Sequence, residues 1–108
     1  MMQWVDVCSS DDLRPDGGVC ALVDGRQVAI FYVVKDDAVY ALDNYDPIGK
    51  ANVLSRGLIG DIKGEPVVAS PLYKQHFSLK TGQCLEDVSI QVETFGVRRT
   101  AGRVEVGV

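Results

Sequence analysis

Apolar and polar residues alternate along much of this chain, and no long stretch repeats its apolar positions every 3.6 residues. That period of two encodes short β-strands rather than helices. Gln3 to Val7 reads as an opening strand, and Ser9-Ser10-Asp11-Asp12-Leu13 offers capping residues for one helical turn, stopped by Pro15 and Gly17-Gly18. Val19 to Val23 and Gln27 to Val33 flank Asp24-Gly25, a strong hairpin signal because both turn residues must take positive φ. Lys35-Asp36-Asp37 turns the chain again, and Ala38 to Leu42 returns as a third strand, with Phe31, Tyr32 and Tyr40 as anchors of the sheet faces. Asp43 to Gly49 is rich in turn formers. Ala51 to Ser55 is predicted as one turn of helix before Gly57. Glu65 to Ala69 leads into a second loop at Ser70-Pro71, His76 to Leu79 forms a strand, and Lys80 to Gln83 a turn. Gln91 to Arg99 and Arg103 to Val106 pair as a closing hairpin around Ala101-Gly102. The expected fold class is all-β, a small barrel or two-sheet sandwich forming a single domain over residues 1–108.

Composition narrows the function. A chain of 108 residues with 46% apolar content buries roughly two-thirds of its unfolded surface and builds one core. A net charge of −4 and a pI near 4.8 argue against nucleic acid as a partner. The basic cluster Arg98-Arg99 with Arg103 reads as the solvated end of a hairpin, and the pairs Asp11-Asp12 and Asp36-Asp37 as solvated charge. No basic and apolar leader opens the sequence, and no apolar run approaches the ~20 residues of a spanning helix. The cysteines, Cys8, Cys20 and Cys84, are odd in number, and without an export signal all are expected to be reduced and mostly buried.

Counting ligands removes several chemistries. His76 is the single histidine, so two imidazoles cannot meet within the chain, and three cysteines cannot make a Cys₄ cluster. No two cysteines stand at the short spacing of a zinc site. His76 and Cys84 flank the Lys80–Gln83 turn and would lie on neighbouring strands, but no carboxylate motif or nucleophile elbow accompanies them, and a structural histidine is the expected outcome. The residues therefore describe a binding or structural subunit, with no catalytic residues, cofactor ligands or metal ligands of its own.

Two segments carry a family likeness. Ala41-Leu42-Asp43-Asn44 entering Asp46-Pro47-Ile48-Gly49 resembles the first ligand loop of Rieske-type ferredoxin domains. Ser70-Pro71-Leu72-Tyr73, with Phe77-Ser78-Leu79-Lys80-Thr81-Gly82 after it, resembles the second. Trp4 to Leu13 and Val39 to Leu42 extend the likeness over nearly the whole chain. A Rieske-type [2Fe-2S] centre takes two Cys thiolates and two His imidazoles. In the same frame this chain has Asp46, Ile48, Ser70 and Tyr73. Within that superfamily, Gly57-Leu58-Ile59-Gly60-Asp61 and Pro71 to Phe77 are most similar to the small subunits of cytoplasmic, NADH-dependent assimilatory nitrite reductases.

The resemblance implies a β-sandwich base with a small loop subdomain. It also implies a large partner subunit that carries FAD, an iron–sulfur cluster and sirohaem and reduces nitrite to ammonium. Asp46, Ile48, Ser70 and Tyr73 mark the vacated ligand positions and a docking tip. Tyr73 and Ile48 are expected to fill the vacated space with apolar surface, with Pro47 and Pro71 stiffening the loops. A stand-alone electron-transfer ferredoxin, which the ligand count opposes, and a generic β-barrel interaction module are the alternatives.

Overall fold

The computed structural model describes residues 3–108; Met1 and Met2, read above as part of an N-terminus without a leader, lie outside the described residues. Strand β1 covers Trp4–Ser9, β2 Gly17–Val23, β3 Arg26–Val33 and β4 Ala38–Asp43. Then follow β5 (Tyr45–Asp46), β6 (Ala51–Asn52), β7 (Leu58–Ile62), β8 (Glu65–Ala69), β9 (His76–Ser78), β10 (Thr94–Thr100) and β11 (Arg103–Gly107). A six-stranded antiparallel sheet runs in the order β1-β11-β10-β4-β3-β2. A three-stranded sheet, β7-β8-β9, and the ribbon β5-β6 make up the loop subdomain. The fold is all-β.

The hairpins follow their turn chemistry. Asp24 and Gly25 take φ of 49° and 78°, and Ala101 and Gly102 take 51° and 78°, the paired positive values of a two-residue turn that matches strand twist. Val23 then faces Arg26, and Thr100 faces Arg103. Strand β3 is apolar at nearly every position because both of its faces are covered. Val28 and Ile30 join Val23, Ala41, Val104 and Val106 inside the curl of the large sheet. Ala29, Phe31 and Val33 face the other way and pack with Leu42, Leu54, Val68, Phe77, Leu79, Cys84 and Val92. This second cluster glues the loop subdomain to the sheet.

Several expectations need correction. Ala51 to Ser55 is not one helical turn: Ala51–Asn52 pairs with Tyr45–Asp46, and the 3₁₀ turn lies at Leu54–Arg56. The buried Asn44 side chain causes this, since its Oδ1 accepts from Ser55 N (2.7 Å) while its amide donates to Asn52 O (3.1 Å) and Gln27 Oε1 (3.0 Å). The closing hairpin begins at Thr94, not Gln91, because Val92 N is held by Gly82 O (2.9 Å) and Gln91 Nε2 by Thr81 O (2.8 Å). Strand β7 was not foreseen. The cysteines are not mostly buried: Cys84 is, Cys8 is half-buried and Cys20 is exposed.

The charges on the large sheet are paired rather than merely solvated. Arg98 sits on Glu105 (2.7 Å), Arg103 on Asp6 (3.1 Å) and Arg99 on Asp37 (3.0 Å). Hydrogen bonds from the Arg99 guanidinium and the Tyr32 hydroxyl hold the Asp37 carboxyl below its ordinary range. Asp12 closes a capping box with Ser9, accepting from its backbone N–H at 3.0 Å, the arrangement that satisfies two orphan donors.

Candidate functional site

Both sequence-identified loops emerge from the second core cluster and meet at one end of the molecule. Loop 43–57 leaves β4, and loop 70–75 joins β8 to β9. The chain approaches itself closely here. A Cβ on Gly57 would lie 2.3 Å from Ala69 O and 2.7 Å from a Val68 methyl, so the end of the first loop is seated directly on β8. Gly57→Ala is expected to cost about 1–3 kcal/mol through overpacking against backbone, read as a lower urea midpoint at unchanged m-value.

At the centre of the tip, Asp46 and Ser70 are fully buried and joined to each other. The Ser70 hydroxyl donates to Asp46 Oδ2 in a short bond. Asp46 Oδ1 accepts from the backbone N–H groups of Ile48 (2.8 Å) and Gly49 (3.1 Å). Ser70 Oγ in turn accepts from Leu72 N at 3.3 Å. Each side chain thus caps its own loop before meeting the other, which is what Asx and ST turns achieve. Backbone bonds from Lys50 N to Asp46 O (2.7 Å) and Lys74 N to Ser70 O (3.1 Å) complete two similar loops.

The outer side chains divide differently from expectation. Ile48 is half-buried and packs on the core cluster. Tyr73 does not fill the vacated space: it is 63% exposed. The physical reason is that the buried Asp46–Ser70 pair already occupies the interior. The tip surface therefore presents Tyr73, Leu72 (45% exposed) and Tyr45 (41% exposed).

These residues do not fit a [2Fe-2S] cluster. Iron in such a centre wants thiolate and imidazole. Here the Asp46 carboxylate is fully engaged, Ile48 has no donor atom, the Ser70 hydroxyl is committed to Asp46, and Tyr73 is turned outward. Among the described residues no three His, Cys, Asp or Glu side chains come together as a metal group. Cys8, Cys20 and Cys84 lie on β1, on β2 and beyond β9 respectively.

His76 and Cys84 do fall on adjacent chain segments, since Phe77 bridges Cys84. Glu86 supplies the carboxylate that the sequence reading did not find. It accepts from His76 N (2.8 Å), contacts His76 Nδ1 at 2.6 Å and lies 3.8 Å from Cys84 Sγ. Cys84 is 0% exposed, so the thiol is closed to any substrate and the group acts as a clamp on the loop after β9. Burial pushes the Glu86 carboxyl up, but the hydrogen bonds from the His76 amide and ring outweigh it and leave it below its ordinary value. A depressed carboxylate stabilises the fold above its unfolded pKa and loses that contribution as pH falls through its folded pKa. Glu86→Gln should therefore lower Tm near neutrality and flatten its decline between about pH 5 and about pH 3, measured by thermal melts across that range.

The family profile described as the Rieske-like [2Fe-2S] domain matches residues 3–107. The nitrite reductase (NADH) small subunit of Escherichia coli (strain K12) is 49% identical over 108 residues, covering 100% of this chain and 95% of that protein. The chain belongs to this small-subunit family of Rieske-like domains. A crystal structure described as a putative NADH-dependent nitrite reductase small subunit from Mycobacterium tuberculosis superposes on this family member with a TM-score of 0.95 at 41% identity, covering 100% of this chain and 96% of that one. A ferredoxin of carbazole 1,9a-dioxygenase from Nocardioides aromaticivorans IC177 shares the fold at a TM-score of 0.81 and 24% identity, covering 96% of each chain. A further relationship is of another kind. The nitrite reductase [NAD(P)H] large subunit of Klebsiella oxytoca is 43% identical over 104 residues, which are 96% of this chain and 11% of that protein. The small-subunit family thus also occurs as a segment inside a much longer chain.

Proposed function

We propose that this chain is the accessory small subunit of a cytoplasmic NADH-dependent nitrite reductase, serving assimilatory reduction of nitrite to ammonium. It works as one domain over residues 1–108 and contributes assembly and docking rather than chemistry. The large subunit supplies FAD, an iron–sulfur cluster and sirohaem, and this chain carries no catalytic residue, cofactor or metal. The Klebsiella relationship carries the reading, because a domain of this family is there covalently part of a large subunit. Fusion makes docking intramolecular, and where the same domain is a separate chain its own surface must supply the affinity. The exposed Leu72, Tyr73 and Tyr45, held on the braced Asp46–Ser70 frame, are the chemistry of such a surface: aromatic and apolar anchors on a rigid support.

NADH oxidation by the large subunit, driven by nitrite, tests the reading. Large subunit prepared without this chain should show reduced activity or reduced yield of sirohaem-loaded enzyme, restored by adding the chain back. Equal yield and equal turnover with and without it would overturn the assignment.

A further inference from the structure

A second surface lies away from the tip centre, at the free edge of the large sheet where β2 is the terminal strand. There Arg14, Gly18, Val19 and Cys20 face Ser55 and Arg56 across a cleft of ≈ 480 Å³. Its floor is tight: a Cβ on Gly18 would stand 2.6 Å from Ser55 O and 2.8 Å from the Phe31 ring. The far wall is fixed by Asn44, which holds Ser55 N.

What distinguishes the cleft is its charge. Arg26, Arg98, Arg99 and Arg103 each sit on a carboxylate. Among the described residues the remaining arginines, Arg14 and Arg56, have no ion-pair partner, and both line this cleft. The acidic residues nearest Arg14 in sequence are committed elsewhere, Asp12 to Ser9 N (3.0 Å) and Asp16 to Val34 N (3.0 Å). In a chain of net charge −4, two arginines without an ion-pair partner line one cavity and give it a local positive charge. Guanidinium presents a planar fork that matches a carboxylate in a bidentate pair.

We propose that the Arg14–Arg56 cleft is a carboxylate-binding site that receives acidic side chains of the large subunit. This rests on the subunit reading given above. Ser55 and Arg56 lie in the same loop, 43–57, as Tyr45 and Asp46, so the chain itself joins the cleft to the tip.

The test combines the full chain, the large subunit and one peptide probe. Arg14→Glu with Arg56→Glu should weaken the two-subunit complex by at least ~10-fold and shift its dependence on salt between about 50 and about 300 mM. The milder pair Arg14→Gln with Arg56→Gln should weaken it in the same direction if the reversal disturbs folding. Complexes of unchanged affinity for both pairs would overturn the proposal. Titrating the isolated chain with an acetylated tetraglutamate peptide, followed by amide NMR, reads the site without the large subunit. Shifts at Gly18, Cys20, Ser55 and Arg56 that vanish in the double variants support it even if no subunit complex forms, a result that would instead defeat the subunit reading. Silence at those amides overturns it, as does inorganic sulfate shifting them as strongly as the peptide, which would reassign the cleft to a free small anion.

Discussion

Asp46→Ala should destabilise the isolated chain by about 3 kcal/mol, more than any substitution at Ile48, Ser70 or Tyr73. The carboxylate accepts from Ile48 N, Gly49 N and the Ser70 hydroxyl, and both Asp46 and Ser70 are wholly buried. A buried donor left without a partner costs about 1–3 kcal/mol, and three are orphaned together, with entering water offsetting part of the sum. Asp46→Asn keeps an acceptor for the two amides, so its expected cost is only about 1 kcal/mol. Tyr73→Ala, by contrast, removes a largely exposed ring and should move stability by no more than ~0.5 kcal/mol. Urea unfolding of the three variants measures the contrast. If Tyr73→Ala proved the most damaging and Asp46→Ala harmless, the tip would be closed by packing rather than by the polar pair.

The second large effect falls on association. Leu72→Asp and Tyr73→Asp should each weaken binding to the large subunit by about 10- to 100-fold while leaving the melting of the isolated chain unchanged. Anchors at the centre of an interface commonly contribute 2 kcal/mol or more, and a charge placed there must be desolvated without a partner. A dissociation constant from calorimetry or sedimentation gives the comparison. The split between affinity and stability matters, since a variant that merely unfolded would change both. The arginine cleft predicts a salt-dependent loss that a neutral tip truncation such as Tyr73→Ala should not show, because apolar anchoring is not screened by ions.

Much of this architecture was legible in the chain. The hairpins at Asp24-Gly25 and Ala101-Gly102 announce themselves because the positive φ values a tight turn requires restrict which residues can stand there. The loop frame was legible through its turn formers, Pro47, Gly49 and Pro71. Strand β7 was not, because Leu58 lies exposed and Gly60 interrupts the pattern, leaving a strand with no clear apolar face. The turn at Ala51 to Ser55 was misjudged because Asn44, several residues away, diverts its hydrogen bonds.

The site was half legible. The family resemblance places Asp46 and Ser70 at ligand positions by spacing alone. That they bond to each other, 24 residues apart in sequence, could not, since local spacing does not say which buried polar groups will meet. The same limit hid the Glu86 partner of His76 and sent Tyr73 to the interior on size, when the interior was already occupied. Size states what a side chain fills once inside; it does not state which way the backbone points it.

A cluster-free Rieske-like domain that serves a large reductase by holding on to it should be recovered together with that reductase. The most direct measurement is capture of tagged full-length chain from native extract of iron-replete cells, with flavin, sirohaem and iron determined on what is recovered. The account predicts co-recovery of a sirohaem flavoprotein, loss of that protein with Tyr73→Asp, and a featureless visible spectrum for this chain after separation. A [2Fe-2S] spectrum on the separated chain, or recovery of the chain with no sirohaem protein bound, would contradict it.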